Sequence, residues 1–448
     1  MHKNKLFVLF SWLILAAILM AACGGATPTV TSGEGAGTGP TTAPAETKTV
    51  RVWIQWGDNP QQIQELFDKY TTVSGIKVEV TAPLEDDKIL PALTGSEPPD
   101  VLVLSGGDLV KSYAKENLVT ELSDIIKTGG IDLNDFFAAP LEQCKSGDQI
   151  LCLPWGTDMY ALFWNKDMFE AAGLDPETPP ATMEQLAEFA DKLTVRDANG
   201  KLTQVGFLPD QGWDHSDLYV RMFGGFWYNN DGTQLTANSQ PMIDSLTWQQ
   251  QFYTKYNADE VLALSSGWAD AYMSADYPFY TGQMAMYVDG EWMTGPNFIS
   301  AFKPEASYGV APFPPPADHP ERANTAVVQG TVAVIPSGAP NKDASAKLLA
   351  WMMSPEVVAE EFCFNANLPT SKKAAQDPCF TENPKFKVFT DLMSSPNATY
   401  IITTPISLEF NDAYGVVLEK AVHNGEDPKP LLDALQAEFE PKLQEALK

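Results

Sequence analysis

Residues 101–104 read Val-Leu-Val-Leu, with no polar residue in the run. A strand of that kind is buried on both faces, as happens in a parallel sheet covered by helices on either side. The neighbouring pattern agrees. Val50, Val52 and Ile54 alternate in a strand over 49–55. Ile63, Leu66, Phe67 and Tyr70 fall on one face of a helix over 59–73. A second strand follows at 76–81, a short helix at 87–93, the third strand at 100–104 and a helix at 108–116. This alternation predicts an α/β fold built on a doubly wound, mainly parallel sheet.

The same grammar continues downstream. Residues 160–164 read as a strand leading into a helix over 166–172. Thr182 caps a helix over 183–193, with Gln185 completing a capping box. Asn229-Asn230-Asp231-Gly232 predicts a hairpin turn. Helices are expected at 241–256, 343–353 and 430–447, and a strand at 331–336. With 448 residues, the chain has room for two domains.

The N-terminus carries a different signal. Lys3 and Lys5 precede an uncharged apolar run over 6–22, which ends Leu19-Met20-Ala21-Ala22-Cys23. Basic start, apolar centre and small residues define a secretory signal. A cysteine placed directly after the small residues is where a bacterial lipoprotein is cut and lipidated. Residues 1–22 are therefore expected to be a lipoprotein signal peptide, and Cys23 the lipidated anchor. Residues 23–47, rich in Thr, Pro, Gly, Ala and Ser, read as a disordered tether. The expected location is extracytoplasmic, anchored to the cell membrane.

Net charge is -29. A field of that sign excludes general affinity for nucleic acid or anionic lipid headgroups. Beyond Cys23, Cys144 and Cys152 form one close pair, and Cys363 and Cys379 another. In an exported protein this parity reads as two local disulfides, each contributing roughly 2–3 kcal/mol. Neither spacing matches a zinc pattern, so no metal is expected. No cofactor is expected either. The sequence has neither Gly-x-Ser-x-Gly nor a Gly-x-x-x-x-Gly-Lys loop.

Five segments carry a family resemblance. They are Gly95-Ser96-Glu97-Pro98-Pro99-Asp100-Val101; Leu153-Pro154-Trp155 with Phe163 to Phe169, Ala172-Gly173-Leu174 and Pro179-Pro180-Ala181-Thr182; Phe279 to Met286 ending at Gly290-Glu291-Trp292; Tyr308 to Pro314; and Asn341-Lys342-Asp343 to Glu356. In order and spacing they resemble the extracellular solute-binding proteins of ABC importers, in the sugar-binding group that includes maltose-binding protein. The resemblance implies a two-lobed, periplasmic-binding-protein-like fold (type II), with the ligand cleft between lobes joined by strands that cross twice. Lobe one is expected to hold 47–156 with 294–335, and lobe two 157–293 with 336–448. It also implies a binding protein and not an enzyme. That protein, a monomer, would capture a neutral sugar or oligosaccharide by hinge closure and pass it to the membrane permease. The alternative is the same role for a polyamine, a polyol or another small polar solute.

A sugar offers apolar C–H faces to aromatic rings, and hydroxyls to carboxylates and amides. In α/β sheets ligands collect at strand ends, and several of the 11 Trp lie just there. Trp56 follows the first strand, where Gly57 would let backbone approach a ligand. Asp108 closes Ser105-Gly106-Gly107-Asp108 after the third. Trp155 and Tyr160 flank Asp158, which the resemblance implies is a ligand-contacting carboxylate at the lobe crossover. Trp213 and Asp214 share a loop; Trp227 and Trp268 occupy similar loops. The resemblance makes Trp292 a cleft tryptophan. Glu291 beside it is a candidate although relatives carry Pro or Gly there, and Gln329 is a candidate because Gln329-Gly330 precedes a strand where relatives have a Gly facing the cleft. Asp158, Glu291 and Asp214 would instead be charge partners of a polyamine, with cation–π support from the aromatic walls. A phosphate ester would need clustered Arg, and only a few Arg are present.

Overall fold

In the first sheet β1 (Thr49–Ile54) lies between β2 (Lys77–Thr81) and β3 (Val101–Leu104) and runs parallel to both. The computed structural model describes residues 48–57, 59–107, 109–212 and 214–448. Cys23, Asp108 and Trp213 lie outside them, as do the expected signal peptide over 1–22 and tether over 23–47. All four residues of β3 are buried, as the unbroken apolar run requires. The first helix, α1 (Pro60–Ser74), starts at Asn59, whose Oδ1 accepts the Gln62 N–H at 3.3 Å. It ends at Gly75, where φ is +71°. Ile63, Leu66, Phe67 and Tyr70 face the sheet as the periodicity predicts. Two antiparallel strands, β14 (Val332–Val334) and β6 (Leu153–Pro154), complete it in the order β2-β1-β3-β14-β6. Two short helices follow β2 and β3: α2 (Ile89–Thr94) and α3 (Val110–Lys115).

The second sheet centres on β8 (Tyr160–Asn165), flanked by β11 (Met286–Gly290) and β12 (Tyr308–Ala311), both antiparallel to it. A parallel bridge joins Val205 to Met284 at its margin. This sheet is more antiparallel than the expected pattern. β8 follows directly from the segment that leaves the first sheet, so the crossing sets its direction and no βαβ turn does. Smaller pairs include β9 (Val195–Arg196) with β10 (Leu202–Gln204), and β13 (Ala326–Val328) with β16 (Ala398–Tyr400). Helix Met183–Leu193 forms as predicted. Thr182 Oγ1 accepts the Gln185 N–H at 3.1 Å, and Gln185 Oε1 accepts the Ala181 N–H at 2.6 Å.

Pairing corrects the expected lobe assignment. Residues 308–311, expected in lobe one, form β12 on β8. Helix Lys342–Met352, expected in lobe two, lies on α1: the Trp351 ring is 5.1 Å from Tyr70 and 6.1 Å from Phe67. The chain re-enters the first sheet through β14, and the next helix covers that sheet. Three passages therefore link the sheets, not two. The third is β15 (Leu368–Pro369), antiparallel to β7 (Gly156–Thr157). After it the chain joins the second sheet, where Phe389 packs 6.1 Å from Phe163.

Both disulfides form as paired in the sequence reading. Cys144–Cys152 closes the hairpin of β4 (Lys145–Ser146) and β5 (Gln149–Ile150), and Cys363–Cys379 ties helix Pro355–Asn365 to helix Pro378–Thr381. Among the described residues no helix is long and apolar enough to cross a membrane.

Candidate ligand cleft

A cleft of about 520 Å³ opens where β1 and β3 end. Gln55 follows β1, and Ser105, Gly106 and Gly107 follow β3. One amide organises this edge: Gln55 Nε2 donates to Asp86 Oδ1 at 2.7 Å, while its Oε1 accepts the Ser105 N–H at 2.9 Å. Opposite stand Asp217 of helix Ser216–Met222, Trp227, residues 401–403 and helix Ser407–Leu418. Leu90 and Leu408, both about half exposed, add apolar surface from the two sides. Among the described residues the lining contains no Lys or Arg.

Gln143 and Gln329 also line the cleft. A Cβ on Gly330 would stand 2.7 Å from Gln143 Nε2 and 3.0 Å from the Gly156 oxygen, so this position admits only glycine without a shift. Asp217 is fixed from behind. Its Oδ1 accepts from Arg221 Nη1 at 2.7 Å and from Trp227 Nε1 at 2.9 Å. The Trp227 ring is fixed in turn by Tyr414 at 4.2 Å and Phe410 at 5.7 Å, both edge-on.

The hinge lies beside the cleft. Asp158 and Gln329 exchange backbone hydrogen bonds across the first two passages, N–H to O at 2.6 and 3.2 Å. The Tyr160 hydroxyl donates to Gln329 Oε1 at 3.0 Å, and its ring meets His215 at 4.6 Å. Asn367 Nδ2 donates to Asp158 Oδ1 at 3.1 Å. Glu291 Oε2 accepts the Met159 N–H at 3.1 Å, and Oε1 accepts the Leu368 N–H at 3.3 Å. Glu291 has no exposed surface. Burial, and then the neighbouring Asp158 carboxylate, hold its carboxyl well above the ordinary range.

The sequence-predicted residues thus separate. Trp227 and Gln329 line the cleft. Asp158, Tyr160 and the half-buried Trp292 gather at the hinge; Trp292 Nε1 donates to the Tyr272 hydroxyl at 2.7 Å. Two expectations are corrected. Trp155 is fully buried between Trp56, Phe67 and Phe362, and Glu291 is fully buried at the hinge, so neither offers surface to a ligand. Trp56 stacks on Trp155 at 6.0 Å. Gly57 is needed because a Cβ would stand 2.8 Å from the Pro83 nitrogen, a packing reason and not a ligand one. Trp268 is buried. Asp214 is solvent-accessible yet crowded by protein on its other sides. That crowding raises its carboxyl to about 6, against the Ser216 hydrogen bonds, with Asp217 and Asp210 adding like charge. Asp217, Gln55, Asp86 and Gln143 were missed. Gln55 sits at a strand end, where the strand-end rule could have found it. Asp217 sits on a helix and carries no such mark.

The sequence from 55 to 359 matches the family model of bacterial extracellular solute-binding proteins. The chain belongs to that family. Its members are solute-binding proteins and not enzymes, and they work outside the cytoplasm. Among relatives of this solute-binding protein, the sn-glycerol-3-phosphate-binding periplasmic protein of Escherichia coli K12 is 27% identical over 295 residues. The match covers 63% of each chain, less than two thirds of the relative's length. Among solved structures, the protein CpMnBP1 with mannotriose bound superposes with a TM-score of 0.79 at 25% identity, covering 87% of this chain and 99% of that one. The sugar-binding protein MalE of Xanthomonas citri superposes with a TM-score of 0.70 at 18% identity, covering 89% and 98%. Both share the two-lobed fold.

Proposed function

We propose that this solute-binding protein captures a neutral sugar or short oligosaccharide and delivers it to the permease of an ABC importer. It works as a monomer held outside the cytoplasm by lipid on Cys23. Closure of the lobes about the three hinge passages traps the ligand. The observation that carries this reading is the chemistry of the cleft. Among the described lining residues, amides, hydroxyls and two carboxylates meet aliphatic and aromatic walls, with no cation. Hydroxyls pair with such groups, and sugar C–H faces pack on such walls. The mannotriose held by CpMnBP1 supports the same class.

The relative that binds sn-glycerol 3-phosphate favours a second reading. A phosphate ester calls for charge-assisted donors. The Arg behind the cleft, Arg221, is already paired with Asp217, so the sugar reading stands ahead. A polyamine would use Asp86 and Asp217 as partners.

Thermal melts of the purified protein with mannobiose, mannotriose, maltotriose, sn-glycerol 3-phosphate and spermidine test this. A ligand bound only by the folded state adds about 2.7 kcal/mol at a hundredfold excess over Kd. The expected result is a rise with a neutral oligosaccharide alone. A rise with the phosphate or spermidine alone overturns the sugar reading. The anchor has its own test: incorporation of labelled fatty acid in cells, abolished by Cys23→Ser.

A further inference from the structure

Among the described residues two acidic side chains line the cleft, and they differ in what stands behind them. Asp86 meets an amide, Gln55. Asp217 meets a guanidinium. The Arg221 side chain is 3% exposed and that of Asp217 23% exposed, so the cation is sealed in while the carboxylate reaches the cleft. Arg221 directs four hydrogen bonds into the protein. Nε donates to Thr399 Oγ1 at 2.9 Å, Nη1 to the Asp217 backbone oxygen and Oδ1 at 2.7 Å each, and Nη2 to the Tyr400 oxygen at 3.1 Å. The guanidinium also lies 5.1 Å from the Phe226 ring centre. It cannot turn to a ligand without breaking this set.

Among the described residues both donors to the Asp217 carboxylate go to Oδ1. Oδ2 has no hydrogen-bond partner among the described residues. An ionised carboxylate oxygen is a strong acceptor, and a cation fixed behind it cancels most of its net field. That combination suits an uncharged O–H donor. A phosphate there would meet acceptor lone pairs and no available cation. A polyamine would meet a carboxylate already paired.

We propose that Asp217 is a specificity-determining residue of this cleft: Oδ2 accepts a hydroxyl of an uncharged ligand, and the Arg221 charge behind it makes the site select neutral hydroxylated solutes over phosphate esters and polyamines. Trp227 and Arg221 are positioning residues that fix the carboxylate. This inference rests on the sugar reading above.

Calorimetric titrations of wild type, Asp217→Asn and Trp227→Phe with mannotriose, maltotriose, sn-glycerol 3-phosphate and spermidine, each at low and high salt, test it. Wild type is expected to bind a neutral oligosaccharide with little salt dependence. Asp217→Asn is expected to lower that affinity about tenfold or more. It also removes the negative charge that cancels the field of the buried Arg221, so affinity for sn-glycerol 3-phosphate is expected to rise, a gain that no merely structural loss produces. Trp227→Phe keeps an aromatic ring but removes one anchor of Oδ1, for an expected loss of about threefold. It carries the test if Asp217→Asn does not fold. Wild-type affinity for the oligosaccharide in Asp217→Asn, or in Trp227→Phe when that variant alone folds, overturns Asp217's role and leaves the sugar reading intact. Equal losses for every ligand with no gain for the phosphate also overturn it. Wild type binding only the phosphate, only spermidine or none of the four overturns the sugar reading and this inference together.

Discussion

The hinge and the cleft wall each hold an acidic side chain with one close charged neighbour, and they use it in opposite ways. At the hinge, Glu291 is fully buried beside another carboxylate, Asp158. Burial and like charge hold its carboxyl above the ordinary range, and its two oxygens accept N–H groups from two different passages. At the wall, Asp217 is partly exposed and backed by a buried Arg. One is scaffold and the other is available for recognition. Residue type does not separate them; the group behind each carboxyl does.

The comparison breaks most directly at Glu291. Replacing it by Ala leaves the Met159 and Leu368 N–H groups buried without partners where the passages meet. Two such losses cost about 3–5 kcal/mol. Glu291→Gln keeps one acceptor oxygen and is expected to cost about 1–2 kcal/mol. Urea unfolding measures both. A loss below about 1 kcal/mol in the alanine variant would show that Glu291 does not hold the passages together.

A second buried acid sharpens the contrast through pH. Asp289 accepts from the Tyr272 hydroxyl at 3.1 Å and from the Gly290 N–H at 2.8 Å, yet burial outweighs both and raises its carboxyl to about 8. The folded protein therefore holds a proton there that the unfolded chain, at about 3.9, releases earlier. Stability from this group is fully present below about pH 4 and is lost as pH rises toward 8, by at most about 1.4 kcal/mol per pH unit. Glu291, Glu361 and Asp214, also raised, pull the same way. His215, which burial lowers to about 4, pulls the other way, since its stability rises between pH 4 and 6.5. Subtracting the Asp289→Asn profile from wild type isolates the one group. The difference is expected to fall steadily from pH 4 to 8. A flat difference would mean that Asp289 is ionised in the folded state.

The first sheet was legible because its signals are local. Val101–Leu104 had to be buried on both faces, and α1 carried both its cap and its apolar face in sequence. The lobe boundaries were not, because they depend on which strands meet. Nothing local in Tyr308–Ala311 says that its partner is β8, or that Trp351 will cover Tyr70. The site was half legible for a similar reason. Trp155 and Trp227 look alike in sequence, each aromatic and near a turn. Only packing shows that Phe67, Trp56 and Phe362 enclose the first, while the second donates to a cleft carboxylate. Asp217 pairs with Arg221 four residues on, the commonest surface ion-pair spacing on a helix. Its sequence pattern alone therefore points to a solvated helix face.

The smallest effect is expected at a third set of contacts, on the rim. Lys115 Nζ donates to the Ala446 oxygen at 2.7 Å, and Lys111 Nζ to the Thr403 oxygen at 3.3 Å. Both leave α3, beside the first sheet, for the segment before helix Ser407–Leu418 and the end of helix Pro428–Ala446. Lys111 is pressed into the structure, and burial lowers its ammonium pKa; Lys115 is exposed. A hydrogen bond from an exposed lysine competes with water, so Lys115→Ala should shift the open–closed balance only about twofold. Fluorescence transfer between dyes on the two lobes, with and without ligand, reads that balance. A tenfold shift would move control of closure from the hinge to the rim, and Glu291 would then hold the passages without governing how they bend. A shift of twofold or less keeps control where three passages and one buried carboxyl converge.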